Sequence, residues 1–195
     1  MDSLTAHLVK HYRIEAEIGD CGLGRLFEAS SASLGSRVTI LVLSESAAGD
    51  PQFGERFDEQ MRRAQGVHHR ALMAVTHFAH ENGTYYVVME HSAGRTVGQA
   101  LAEGAAPRLR DAVAVCQRAA EGLDFAHRSG LVHGALHLDT IVVSERWEAR
   151  VLGLGIAKAA DPVSLSTSPV WPPAGYRSPE QRAGVPLSVF GVSLN

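Results

Sequence analysis

Cysteine is nearly absent from this chain: Cys21 and Cys116 are the two among 195 residues. That is too few for a disulfide framework, so both are expected as reduced thiols. Long apolar runs are missing too. Stretches such as Val38–Leu43 fall far short of the ~20 residues that a membrane-crossing helix needs. The opening MDSLTAHLVKHY has no apolar core of a secretion signal, so a soluble, cytoplasmic protein is the expectation. Nor is there a block of single-sign charge. Eighteen basic against 21 acidic residues leave a net charge of −3, which argues against nucleic acid or an anionic membrane as partner. Internal repeats and low-complexity tracts are also lacking. What is present is an ordinary globular mix, 45% apolar and 20% charged, enough for a real core in one large domain or two small lobes.

Patterning along the chain predicts strands first. Tyr12, Ile14, Ala16 and Ile18 alternate with polar residues as a half-buried strand does, and IGDCGLGRLFEA turns through a glycine-rich bend into a second strand. A bend of this kind, alone, is as often a plain hairpin turn. Val38–Leu43 is rich in β-branched residues and reads as a central strand. Asp50-Pro51 reads as a capped helix start, followed at helical spacing by Phe53, Phe57, Met61 and Ala64. Strands over 74–79 and 85–90 are joined around Asn82-Gly83, a strong hairpin signal. Asp111 is expected to cap a long helix with an apolar face of Ala112, Val115, Cys116, Ala119, Leu123 and Ala126, ending near Gly130. On that face Cys116 reads as packing rather than as a reactive thiol.

The stretch from Leu131 to Gly155, LVHGALHLDTIVVSERWEARVLGLG, decides the reading. It resembles the catalytic loop and metal-binding turn of a protein kinase, whose pattern is H-R-D-x-K-x-x-N and then D-F-G. The frame is kept, with His133 in place and Leu154-Gly155 closing the turn, but the reactive groups are not. The resemblance puts Ala135 where the catalytic base belongs, Thr140 where the Asn metal ligand belongs, and Gly153 where the Asp metal ligand belongs. Upstream, Leu41 takes the place of the phosphate-pairing lysine and Gln60 that of its glutamate partner. A register using Glu59 would instead turn Arg63 towards the core. GYRSPEQ resembles the end of the activation segment, at Ser178, Pro179 and Glu180. Taken in order from Tyr12 to Gln181, these pieces resemble bacterial serine/threonine kinases of the eukaryotic type.

That resemblance implies an α+β, two-lobed fold: a five-stranded antiparallel N-lobe sheet with helix C over 1–90, then a hinge and partial, mainly helical C-lobe over 91–195 that ends near the start of helix F. Any nucleotide pocket would be built from Gly19, Cys21, Gly22, Gly24, Leu26, Thr39, Met89 as gatekeeper, Glu90 and Val142. Cys21 replaces the middle motif glycine and adds a side chain where backbone must approach phosphate. The activity implied is that of a catalytically inactive binding or regulatory module, with a weak serine/threonine kinase or a kinase-gene remnant as alternatives. ATP would bind weakly and without regard to magnesium. The spacing of His133 and His137 suits zinc only on a helix, so no metal site is expected; His133 reads as a core histidine behind Leu154, and Asp139 as a solvated surface carboxylate. Gly134 replaces the arginine that grips an activation-loop phosphate, so modification of Ser164, Ser166, Thr167 or Ser168 would not be read through it. In the family the long helix's apolar stripe is covered by a helix of which Leu187–Leu194 would be the first turns, and the arginine partner of Glu180 lies beyond. The implied partner is therefore a protein, or a second copy, meeting an incomplete C-lobe.

Overall fold

The computed structural model describes residues 11–33, 35–44, 52–81, 83–159 and 173–185. Asp50 and Pro51, Asn82, the Ser164–Ser168 cluster and Leu187–Leu194 lie outside those residues. The chain opens with β1 (Tyr12–Asp20), β2 (Gly24–Ser31) and β3 (Arg37–Leu43), and after α1 (Phe53–Gln65) adds β4 (Val75–Glu81) and β5 (Thr84–Glu90). These form one antiparallel sheet in the order β1-β2-β3-β5-β4. β3 is central, and all of it but Arg37 is buried, as a β-branched run covered on both faces should be. Side-chain alternation splits it cleanly. Leu26, Leu41 and Val87 enter the main core, whereas Phe27, Ile40 and Val88 form a second cluster on the other face.

α1 lies against the main-core face because its apolar residues recur at helical spacing. Phe53, Phe57, Met61 and Ala64 are buried along it. Phe53 meets Tyr85 edge-on at 4.9 Å between ring centroids, and Phe57 meets Phe78 and Tyr85 at 5.8 and 5.1 Å, geometries that add about 0.5–1.5 kcal/mol per pair beyond burial. The helix begins at Phe53 with Gln52 as its cap residue and no side-chain cap hydrogen bond.

Beyond β5 come β6 (Arg95–Thr96), the short α2 (Val97–Ala102) and the long α3 (Leu109–Arg128); β7 (Ile141–Val143) and β8 (Ala149–Val151) then complete a small β6-β7-β8 sheet. α4 (Ile156–Ala159) and α5 (Pro179–Arg182) follow. Two expectations about α3 need correction. Its cap residue is Arg108, and Asp111 sits inside the first turn, where its carboxylate complements the helix dipole rather than capping. Its buried face is Val115, Ala119, Gly122 and Ala126, so Cys116, one step of 100° away from Val115, is exposed. Gly122 was missed as an interface residue: a Cβ there would come within 3.0 Å of Ala71 Cβ and Leu72 Cδ2, so glycine is what lets the 71–72 segment press onto the helix. Among the described residues no helix is long and apolar enough to cross a membrane.

Candidate nucleotide cleft and catalytic loop

The loop from Leu131 to Thr140 leaves α3 and enters β7 held by its own side chains. His133 is buried. Its Nε2 lies 2.7 Å from the Leu152 carbonyl, and its Nδ1 accepts the Ala135 N–H at 3.2 Å. This pattern needs the neutral ring protonated on Nε2. Burial agrees, pushing the His133 pKa down to about 4. Thr140 is fully buried. Its hydroxyl accepts the His137 N–H at 3.0 Å and faces the Ala135 and His137 carbonyls at 3.3 and 3.0 Å. One proton and the acceptor capacity of that oxygen are thus spent on the loop, and Thr140 acts as its internal clamp. Ala135, also buried, offers only a methyl group.

The Asp139 side chain is 40% exposed, in line with the solvated carboxylate expected from the sequence, but it is not idle. It is half-buried, and its Oδ1 accepts from Thr96 Oγ1 at 2.9 Å. Gly98 makes the room, since a Cβ there would lie 2.0 Å from Asp139 Oδ1. His137 is buried too; its Nδ1 accepts the Asp139 N–H at 3.2 Å. Its Nε2 has no hydrogen-bond partner among the described residues. Burial lowers the His137 pKa, opposed by the Asp139 carboxylate and by the nearby Cys21 backbone. Among the described residues no group of three or more His, Cys, Asp or Glu is placed to hold a metal ion.

Across the cleft the sheet contributes Leu41, fully buried and opposite Leu26 on β2 and Val87 on β5. Gln60 of α1 is buried while Glu59 points outward to Arg63 at 2.6 Å. Gln60 Oε1 finds no donor among the described residues. Thr39 and Met89 are paired in register and buried. Val142 is buried below them, and Glu90 is exposed with its carboxylate 3.4 Å from Arg150.

The glycine-rich loop completes the cleft by folding into it. Cys21 and Leu23 are both fully buried, and burial pushes the Cys21 thiol up to about 12. Loop amides are consumed internally: the Cys21 N–H bonds the Gly24 carbonyl at 3.1 Å, and the Gly22 N–H bonds Asp20 Oδ1 at 2.6 Å. Gly19 has φ +138, and a Cβ there would fall 2.1 Å from Gln99 Nε2, which donates to the Ile18 carbonyl at 2.6 Å. Gly153 has φ +82 and faces Leu23. Between the β1–β2 hairpin and the segment after β5, Leu26, Thr39, Met73, Val142 and Leu152 help line a cavity of about 10 Å³, room for roughly one water.

Leu154 and Gly155 follow Gly153 into the core, Gly155 also at φ +82. Pro179 and Glu180 open α5 after the cap residue Ser178, whose N–H donates to Gln181 Oε1 at 3.0 Å. The residue that ties this segment to the catalytic loop is the next one, which the sequence reading passed over: buried Gln181 donates through Nε2 to the Gly134 carbonyl. A polar residue at N3 of a Ser-Pro helix start is a capping-box signal, but nothing in the sequence shows its second contact.

The sequence pattern of the protein kinase domain matches residues 12–186. The chain belongs to the protein kinase family. Serine/threonine-protein kinase PknA of Mycobacterium tuberculosis is 31% identical over 179 residues, covering 89% of this chain and 42% of PknA. Serine/threonine-protein kinase pkn3 of Myxococcus xanthus is 31% identical over 188 residues, 90% of this chain and 34% of that one. The chain therefore spans under half the length of these relatives. The crystal structure of the Mycobacterium tuberculosis PknI kinase domain matches with a TM-score of 0.72 at 21% identity, over 93% of this chain and 68% of that one. The two-lobed kinase-domain fold with a five-stranded N-lobe sheet is thus shown, and so is homology to bacterial serine/threonine kinases.

Proposed function

We propose that this kinase-family domain is a pseudokinase, silent in phosphoryl transfer and used as a binding or regulatory module. The observation that supports it best is Gly153. Phosphoryl transfer in the family needs a carboxylate there to hold magnesium between the phosphates, and here the position has no side chain and is faced by Leu23. Leu41, Ala135 and Thr140 add to it: none carries charge, and each is buried. Removing a general base typically costs ~10²–10⁴ in rate, and removing an electrostatic stabiliser ~10²–10³. Even with strong non-additivity, little of a ~1–100 s⁻¹ kinase turnover would survive. A weak kinase would need a substitute base, and the Asp139 carboxylate is already engaged by Thr96.

A magnesium–nucleoside triphosphate does not fit the residues present. The cleft offers no cation at Leu41, no ligand at Gly153 and no free amide at Cys21 or Gly22. ATP is therefore expected to bind weakly and without dependence on magnesium. A partner is expected to be a protein or a second copy of the chain, met on the exposed side of α3. Incubation with labelled ATP, magnesium or manganese and generic acceptors tests the reading. Silence is the expected result, and transfer above a no-protein control that a cleft mutation abolishes would overturn it.

A further inference from the structure

The glycine-rich loop does more than lack phosphate-binding features; it is folded down onto Gly153 and tied at several points. At its entry, Gln99 of α2 holds the Ile18 carbonyl at 2.6 Å. Gln99 is itself fixed: its Oε1 accepts the Thr96 N–H at 2.9 Å, and its own N–H bonds Thr96 Oγ1 at 3.1 Å. Thr96 Oγ1 in turn holds Asp139 of the catalytic loop. At the loop's middle, Cys21 is fully buried and its N–H bonds the Gly24 carbonyl at 3.1 Å. At its tip, Leu23 packs on Gly153, and the Leu23 carbonyl accepts the Ser44 N–H at 3.1 Å. The loop is thus tied to the catalytic loop at its entry through Ile18, Gln99, Thr96 and Asp139, and is seated at its tip through Leu23 on Gly153.

We propose that the glycine-rich loop is a built-in plug, an intramolecular occupant of the phosphate subsite latched by Gln99 and seated by Leu23 on Gly153. This rests on the reading of the cleft as non-catalytic. The pieces fit that role in kind. A leucine tip buries apolar surface against a glycine that leaves space for it. The latch is one side-chain amide hydrogen bond, a modest local tie. The plug is therefore held firmly but locally, and its opening is separable from global unfolding.

The two cysteines report on it without any nucleotide. Cys21 lies inside the plug and Cys116 on the open side of α3. Under native conditions a thiol reagent such as iodoacetamide, followed by peptide mass spectrometry, should modify Cys116 readily and Cys21 at least ~100-fold more slowly. Burial slows Cys21 both by shielding it and by suppressing its thiolate, so the contrast is read against the same protein in urea, where both effects vanish and the two rates converge. Gln99→Ala should raise the native Cys21 rate about tenfold, the factor that loss of a hydrogen bond of ~1.4 kcal/mol gives, and Leu23→Ala should raise it further. Hydrogen exchange on the unmutated protein supplies a second readout, with the Cys21 and Gly22 amides protected. Native labelling of Cys21 at the Cys116 rate, or fast exchange of those amides, overturns the plug; so does a Cys21 rate unchanged in both folded variants. Phosphoryl transfer by the unmutated protein would sink the pseudokinase reading while leaving these labelling rates as they are, so the two can fail separately.

Discussion

Leu23 Cδ1 lies 2.7 Å from where a Cβ on Gly153 would sit, across a cleft that the kinase family keeps open for magnesium and phosphate. Restoring the family's carboxylate by Gly153→Asp should therefore destabilise the protein instead of rebuilding a metal site. The new residue must adopt φ +82, which costs about 1–2 kcal/mol for a residue with a Cβ, and it must also displace a buried leucine, for ~1–3 kcal/mol more. Urea unfolding should show a loss of roughly 2–5 kcal/mol. A variant as stable as the parent that also gains a magnesium-dependent thermal shift with ATP would contradict this.

Leu41 and Gln60 occupy the lysine and glutamate positions of the family and are both buried. Leu41→Lys alone places an ammonium among apolar neighbours with no counter-charge, and a loss of ~3–5 kcal/mol is expected, or a lysine driven neutral. Adding Gln60→Glu should recover part of it, with a coupling of about 1–3 kcal/mol in a double-mutant cycle. The cycle is read by equilibrium unfolding. Additive losses would show that the side chains no longer meet and that α1 has moved away from the family geometry.

Much of this was legible in the sequence because the signals are local and periodic. The glycine bend, the β-branched run of β3 and the helical spacing of Phe53, Phe57 and Met61 each dictate an element by sterics or by amphipathic pattern. The choice of Gln60 over Glu59 followed from which register turns Ala64 inward, and Ala64 is buried. What was not legible depends on contacts between distant segments. The bond that engages Asp139 was hidden because its partner Thr96 is 43 residues away, and Gln181 finds Gly134 only once the activation segment has folded back. Cys116 looked buried because apolar residues lie on more than one side of α3, and its neighbours in sequence do not say which side faces the core. The burial of Leu23 was invisible for the same reason: its seat is the glycine at 153.

His133 gives the stability a sign with pH. Its pKa is held down to about 4 by burial, against ~6.5 in an unfolded chain. Between those values the unfolded state binds the extra proton, so stability rises with pH. The contribution is complete above about pH 6.5 and is lost as pH falls towards 4. On going from pH 7 to pH 5 it amounts to ~2 kcal/mol, and buried His137, shifted the same way, adds in the same direction. Urea midpoints measured at both pH values should fall accordingly. In His133→Gln, which keeps a donor but does not titrate, the fall should be smaller by about that amount; an unchanged pH slope would mean that His133 is not the group responsible.

The open side of α3 is where association should be sought. Leu109 is 82% and Val113 56% exposed, and Cys116 and Ala120, also exposed, continue the line. At 100° per residue these positions fall within one narrow stripe over about three turns. The stripe stands apart from the buried face at Val115, Ala119, Gly122 and Ala126, so it can be mutated without touching the packing against Leu72. Burying a leucine or valine of this kind is worth ~1.5–3 kcal/mol, and a few together suffice for weak self-association but not for a tight dimer, which buries roughly 1,200–2,000 Å². Light scattering over a concentration series should show the average mass rising with concentration, and Leu109→Glu with Val113→Glu should abolish the rise while leaving the melting temperature within a few degrees. A parent chain that stays monomeric at millimolar concentration would rule out the second copy as the occupant of this face.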